Sequence, residues 1–157
     1  MMLIQAFFVT VLLLDVVATA VQEKPNFSGE WTLNRPASAL SPGADAVQTG
    51  VVRIEHREPM FRYKATLTSG GSPFEYEYEL VSDGREVEGT QQGRPTVSSL
   101  RWDGDALVFT GRIQRPDAEV KISFRYELLE NGRRLRGVEQ VRGSGRDQDN
   151  VWIFERR

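Results

Sequence analysis

Asn26-Phe27-Ser28-Gly29-Glu30-Trp31-Thr32-Leu33-Asn34 is the stretch on which the fold turns. In an extended chain Phe27, Gly29, Trp31 and Leu33 share one side, and Ser28, Glu30 and Thr32 the other. That is the alternation of a strand with one buried face. Gly29 suits a point where a sheet bends or a second backbone comes close. The stretch reads as the first strand of a small closed barrel, with Trp31 as a plug residue at one end.

C-terminal to it the same period recurs. Val52, Ile54 and His56 alternate with Arg53, Glu55 and Arg57. Phe61, Tyr63, Ala65 and Leu67 alternate with Arg62, Lys64 and Thr66. In the clearest strand Phe74, Tyr76, Tyr78 and Leu80 alternate with Glu75, Glu77 and Glu79. Further strands are expected over 86–91, 96–102, 106–113, 119–128, 134–142 and 148–155, with hairpin signals at Asp83-Gly84 and Asn131-Gly132. Ten strands with short turns, and no helical interval long enough for parallel crossovers, predict an all-β, antiparallel up-and-down barrel. Closure removes the open edges of such a sheet. It would pair the first and last strands, around Trp31 and Trp152. The one long irregular segment, Arg35 to Gly50, is either a functional lid or a plain crossover covering a barrel end.

On the N-terminal side, Leu3 to Leu14 is apolar and Ala18-Thr19-Ala20 is a small-x-small cleavage signal. The run is too short to cross a bilayer as a stable helix. Residues 1–20 are therefore expected to be a signal peptide and 21–25 a linker. Residues 26–157 form a single barrel domain of an exported protein, periplasmic or secreted, with no integral membrane span after cleavage. An uncleaved anchor or a misplaced start codon is the alternative. The formal net charge of −2 gives no pull toward nucleic acid. With no cysteine in the chain, disulfides, thiolate metal sites and cysteine nucleophiles are excluded.

The opening Phe27-Ser28-Gly29-Glu30-Trp31-Thr32-Leu33 resembles the Gly-x-Trp strand of the calycins, the lipocalins and fatty-acid-binding proteins. Asp83-Gly84-Arg85-Glu86-Val87 and Trp102-Asp103-Gly104-Asp105-Ala106-Leu107 look like the paired hairpin turns of the ten-stranded fatty-acid-binding branch. Val151-Trp152-Ile153-Phe154-Glu155-Arg156 looks like its closing strand. The arrangement also resembles exported bacterial lipocalin-like domains. The resemblance spans the chain after the leader and implies a barrel that binds a lipid-like ligand. It departs from the family at the Arg-x-Tyr pair that holds a ligand carboxylate, which falls here at Trp152 and Phe154. The family's portal helices would fall in 35–50, where this sequence has no helical period.

Several inward-facing aromatics carry the binding hypothesis. Tyr63, Tyr76, Tyr78, Trp102, Phe109, Phe124 and Tyr126 would line the interior, the tyrosines bringing polar tips. They fit either a cavity for a small hydrophobic or amphipathic ligand or a filled core. His56, the only histidine, is either a pocket group (a base or a haem ligand) or a hydrogen-bonded wall residue. One histidine without cysteine cannot supply the three or four ligands of a nitrogen- or sulfur-ligated zinc site. No catalytic residue, metal or cofactor is assigned. The first expectation is a monomeric ligand-binding barrel. The alternatives are an envelope interaction module acting through its outer surface, with Arg133, Arg134 and Arg136 as the patch, and a barrel enzyme using His56.

Overall fold

The computed structural model describes residues 23–143, 145 and 147–157. The expected signal peptide, and the first two residues of the expected linker, lie outside the described residues. Ten antiparallel strands make one sheet. They are β1 (Gly29–Leu33), β2 (Val47–Arg57), β3 (Met60–Ser69), β4 (Ser72–Val81), β5 (Val87–Gln91), β6 (Arg94–Asp103), β7 (Ala106–Gln114), β8 (Glu119–Leu129), β9 (Arg134–Arg142) and β10 (Gln148–Arg156). A short 3₁₀ turn, Glu130–Gly132, joins β8 to β9.

The order across the sheet is β4-β3-β2-β1-β10-β9-β8-β7-β6-β5. β1 is held between β2 and β10, so the expected pairing of first and last strands is present. Its register differs from the expectation. Trp31 faces Arg156 across the ladder and Leu33 faces Phe154, while Trp152 lies further along, opposite Gly137.

The barrel closes everywhere except between β4 and β5, which share no ladder. Asp83-Gly84, expected to fold a hairpin, sends the chain across this seam instead. Gly84 N–H donates to the Leu100 carbonyl at 2.8 Å, and Asp83 bridges to Arg101 on β6. The irregular segment is shorter than expected, because β2 already begins at Val47. Residues 34–46 form turns tied to β10 through reciprocal Ala39–Val151 backbone bonds of 2.9 and 2.7 Å.

The up-and-down path gives the barrel two ends. One carries the N-terminal approach, the 58–59 turn and the chain's C-terminus. Here Phe27, Trp31, Phe61, Leu100, Leu107 and Leu135 are buried together. Full burial of each large side chain contributes roughly 1.5–3 kcal/mol. Trp31 is the plug that the sequence suggested. Its indole N–H donates to the Phe27 carbonyl at 3.1 Å, and the Arg156 guanidinium lies 4.3 Å over its ring. Gly29 has φ of 150°, a backbone conformation that other residues rarely adopt, and a Cβ there would also displace the Arg156 guanidinium.

Candidate functional site

The opposite half of the barrel is hollow where inward positions of β5, β6 and β7 carry small side chains, namely Gly89, Thr96, Ser98 and Gly111. The resulting cavity measures about 780 Å³ and opens at the seam and at the end under residues 43–47. That volume is within the range of small-molecule sites, roughly 300–1,000 Å³.

Of the residues expected inside, Tyr76, Tyr78, Phe109, Phe124 and Tyr126 line this cavity. They form one stacked array. Tyr78 lies 4.8 Å from Phe109, Phe124 lies 4.5 Å from Tyr126, and Tyr63 lies 5.2 Å behind Tyr78. The phenols satisfy one another, with Tyr78 and Tyr126 hydroxyls 2.8 Å apart and Tyr63 and Tyr76 3.3 Å apart. Burial, the largest cause, pushes Tyr63, Tyr78 and Tyr126 well above their usual range. For Tyr76 burial, helped by the charge of Glu139, raises it to about 12. The four phenols therefore stay neutral hydrogen-bonding groups at ordinary pH.

Tyr63, Trp102 and His56 do not line the cavity. Tyr63 is a buried second layer. Trp102 and His56 belong to the plugged end. The His56 Nδ1 accepts the Phe27 N–H at 3.3 Å, which places the ring proton on Nε2, 3.1 Å from a Glu58 oxygen. The Glu58 carboxylate also accepts from the Ser82 hydroxyl and, at 3.1 Å, from the Trp102 indole. Burial works to raise the Glu58 carboxyl, but these three donors outweigh it and hold it below its ordinary range. With both nitrogens engaged and the ring buried, His56 presents no free lone pair to the cavity. It is held by hydrogen bonds within the plugged end.

The residue that sequence reasoning missed is Glu139. β9 carries Leu135, Gly137, Glu139 and Val141 on its inner face, a row with too few apolar residues to read as an inner face. Glu139 is half-buried and lines the cavity. One oxygen, Oε2, accepts from Asn150 Nδ2 and from Trp152 Nε1, both at 2.9 Å. Asn150 is itself fixed, its Oδ1 accepting the Ser41 N–H at 2.7 Å. Glu77, Glu79 and Glu88 border the opening from the outer faces of β4 and β5. Arg112 is the one cation among the lining residues, and its Nη2 lies 3.0 Å from both oxygens of Glu86.

The glutamates opposite the tyrosine face of β4 do face water, as expected, with Glu79 accepting from Arg62 at 2.8 Å and Glu75 from Thr66 at 2.9 Å. The Arg133-Arg134-Arg136 cluster is not a free basic patch. Arg134 pairs with Glu130 at 2.7 Å and Glu155 at 2.8 Å, and Arg136 pairs with Glu127 at 3.0 Å.

A ten-stranded, nearly closed antiparallel barrel with a seam between β4 and β5 and an interior cavity defines a calycin-like fold. Solved structures of that fold superpose on most of the chain. Human cRBP IV matches at 17% identity and a TM-score of 0.52, covering 85% of this chain and 99% of its own. Zebrafish ileal bile acid-binding protein, solved with cholic acid, matches at 14% identity and a TM-score of 0.55, covering 83% and 98%. Secretory abundant heat soluble protein 4 from Ramazzottius varieornatus matches at 13% identity and a TM-score of 0.51, covering 87% and 99%. No protein-family model matches the sequence, and no curated protein matches it.

Proposed function

We propose that this chain binds a small hydrophobic or amphipathic molecule inside its barrel. The observation that carries the reading is the aromatic-walled cavity of about 780 Å³, open at the seam. A packed core has no reason to leave such a volume, since lining atoms without partners lose their dispersion contacts. The zebrafish barrel solved with cholic acid supports the same reading by its fold. The engaged arginines of the 133–136 cluster and the doubly hydrogen-bonded His56 favour it over a surface module or an enzyme.

The test is Nile red, a neutral apolar dye whose emission rises in apolar surroundings. Wild type is expected to bind it saturably. Ser98→Trp, which places an indole in the cavity, is expected to abolish the signal while leaving the urea midpoint nearly unchanged. Equal dye binding by both proteins would sink the interior site.

The same reading has the protein exported, with residues 1–20 removed and 26–157 acting as one monomeric domain. The support is the apolar run Leu3 to Leu14 followed by Ala18-Thr19-Ala20. Intact-mass measurement on protein from its own cell envelope tests it, with a mature chain beginning at Val21 expected. A chain retaining Met1 in the soluble cytoplasm would overturn export without touching the cavity.

A further inference from the structure

We propose that the ligand's polar head is an organic cation, a primary or substituted ammonium, seated on Glu139. This rests on the interior cavity being the binding site and goes further by naming the head-group chemistry. Glu139 is aimed rather than merely present. Asn150 and Trp152 fix one of its oxygens from the same side, and no donor among the described residues reaches the other. Two neutral donors hold Glu139 and no cation among the described residues pairs with it, so a cationic head group would gain a charge-assisted hydrogen bond there.

The enclosure itself suits an ammonium. Phe124 is the direct cross-strand neighbour of Glu139, and Tyr76, Tyr126 and Trp152 complete the walls. Aromatic faces attract cations as well as apolar chains. The one guanidinium of the lining, on Arg112, is turned to Glu86 and does not neutralise the site. An anionic head group would meet like charge at Glu139. The apolar body of the ligand would lie along Phe109, Ile113 and Ile122 toward the seam.

The experiment is displacement of Nile red from the full mature chain by three probes with one tail: dodecylammonium and dodecanoate, each below its micelle concentration, and dodecanol below its solubility limit. Wild type is expected to bind dodecylammonium at least tenfold more tightly than either of the others. Glu139→Gln, which keeps an acceptor for Asn150 and Trp152, is expected to reduce that preference to threefold or less while retaining Nile red binding and the wild-type melting curve. Dodecanoate binding as tightly as dodecylammonium in wild type overturns the cationic head group. So does dodecanol matching the amine, which would make Glu139 an acceptor for neutral donors. A preference that survives Glu139→Gln unchanged also overturns it. Absence of Nile red binding in wild type is a different failure, because it removes the interior site itself. The wild-type ratios stand as a test even if the variant does not fold.

Discussion

The two ends of this barrel are built by the same strands and do opposite work. At the plugged end the inner face of each strand carries Trp31, Phe61, Leu100, Leu107 or Leu135, and these fill the space completely. At the hollow end β5, β6, β7 and β9 carry Gly89, Thr96, Ser98, Gly111 and Glu139, and leave a cavity. Strand spacing is constant along the barrel. These side chains, together with the open seam between β4 and β5, separate the binding site from the core. The polar groups divide likewise. Around Glu58 every donor and acceptor finds a partner within the protein, whereas Glu139 keeps one oxygen uncommitted.

The sharpest way to break this division is truncation on either side of it. Phe61→Ala at the plugged end is expected to cost about 3–5 kcal/mol in urea unfolding, the range for a fully enclosed aromatic. Phe109→Ala, whose ring edges the cavity, is expected to cost less than about half of that, because the space it leaves adjoins one already open. Equal losses would mean that the hollow half is as tightly packed in solution as the plugged one.

Overpacking probes the boundary between the ends. Phe124 lies flat across Gly137, where an added Cβ would come within 2.3 Å of the ring. Gly137→Ala is expected to cost about 1–3 kcal/mol, with the near-ultraviolet signal of the tyrosine array altered in the folded protein. A neutral result would show that the Phe124 ring can swing freely into the cavity.

The smallest effect concerns the plugged end's polar hub. The Glu58 carboxyl titrates below its ordinary value of 4.5 in the folded chain. The folded state therefore favours the deprotonated form, and the stabilisation is complete above that value and fades as pH falls through the lowered one. The urea midpoint of wild type is expected to drop on acidification below about pH 4.5. Glu58→Gln is expected to drop less over the same window. A residual slope is expected from Glu30, Asp103, Asp149 and Glu155, whose carboxyls are also held low. Superimposable profiles would remove Glu58 from the hub.

How much of this could be read from the sequence follows the same division. Where the strands fill a core, as at Phe61-Arg62-Tyr63 or Phe74 to Leu80, apolar and polar residues alternate strictly and the inner face is plain. Where they line a cavity, the inner face needs no apolar residue and the alternation softens. Over 86–91 and 134–142 the alternation is soft for that reason, and Glu139 is hidden in the second. Soft alternation in an otherwise regular barrel was thus itself a mark of the cavity. His56 was legible as an inner-face residue but not as a plug residue, because alternation fixes the face and says nothing about height along the barrel. The seam could not be read at all. Asp83-Gly84 has the composition of a hairpin turn, and only the third dimension sends it to β6.

The seam has a topological consequence. Read from β5 through β10 and then β1 through β4, the sheet is a simple meander in which every strand neighbours the next. The actual chain is that meander cut between β10 and β1, with its free edges joined by 82–86, so that one ladder, β1 with β10, must unite residues as distant as Trp31 and Arg156. Every other ladder can form between consecutive strands. Assembly of the barrel therefore waits on a single long-range docking of two locally built halves. A circular permutant with its ends placed at the seam and a short link from Arg157 to Asn26 would convert that last step into one more hairpin, with every ladder between sequence neighbours and correspondingly faster folding.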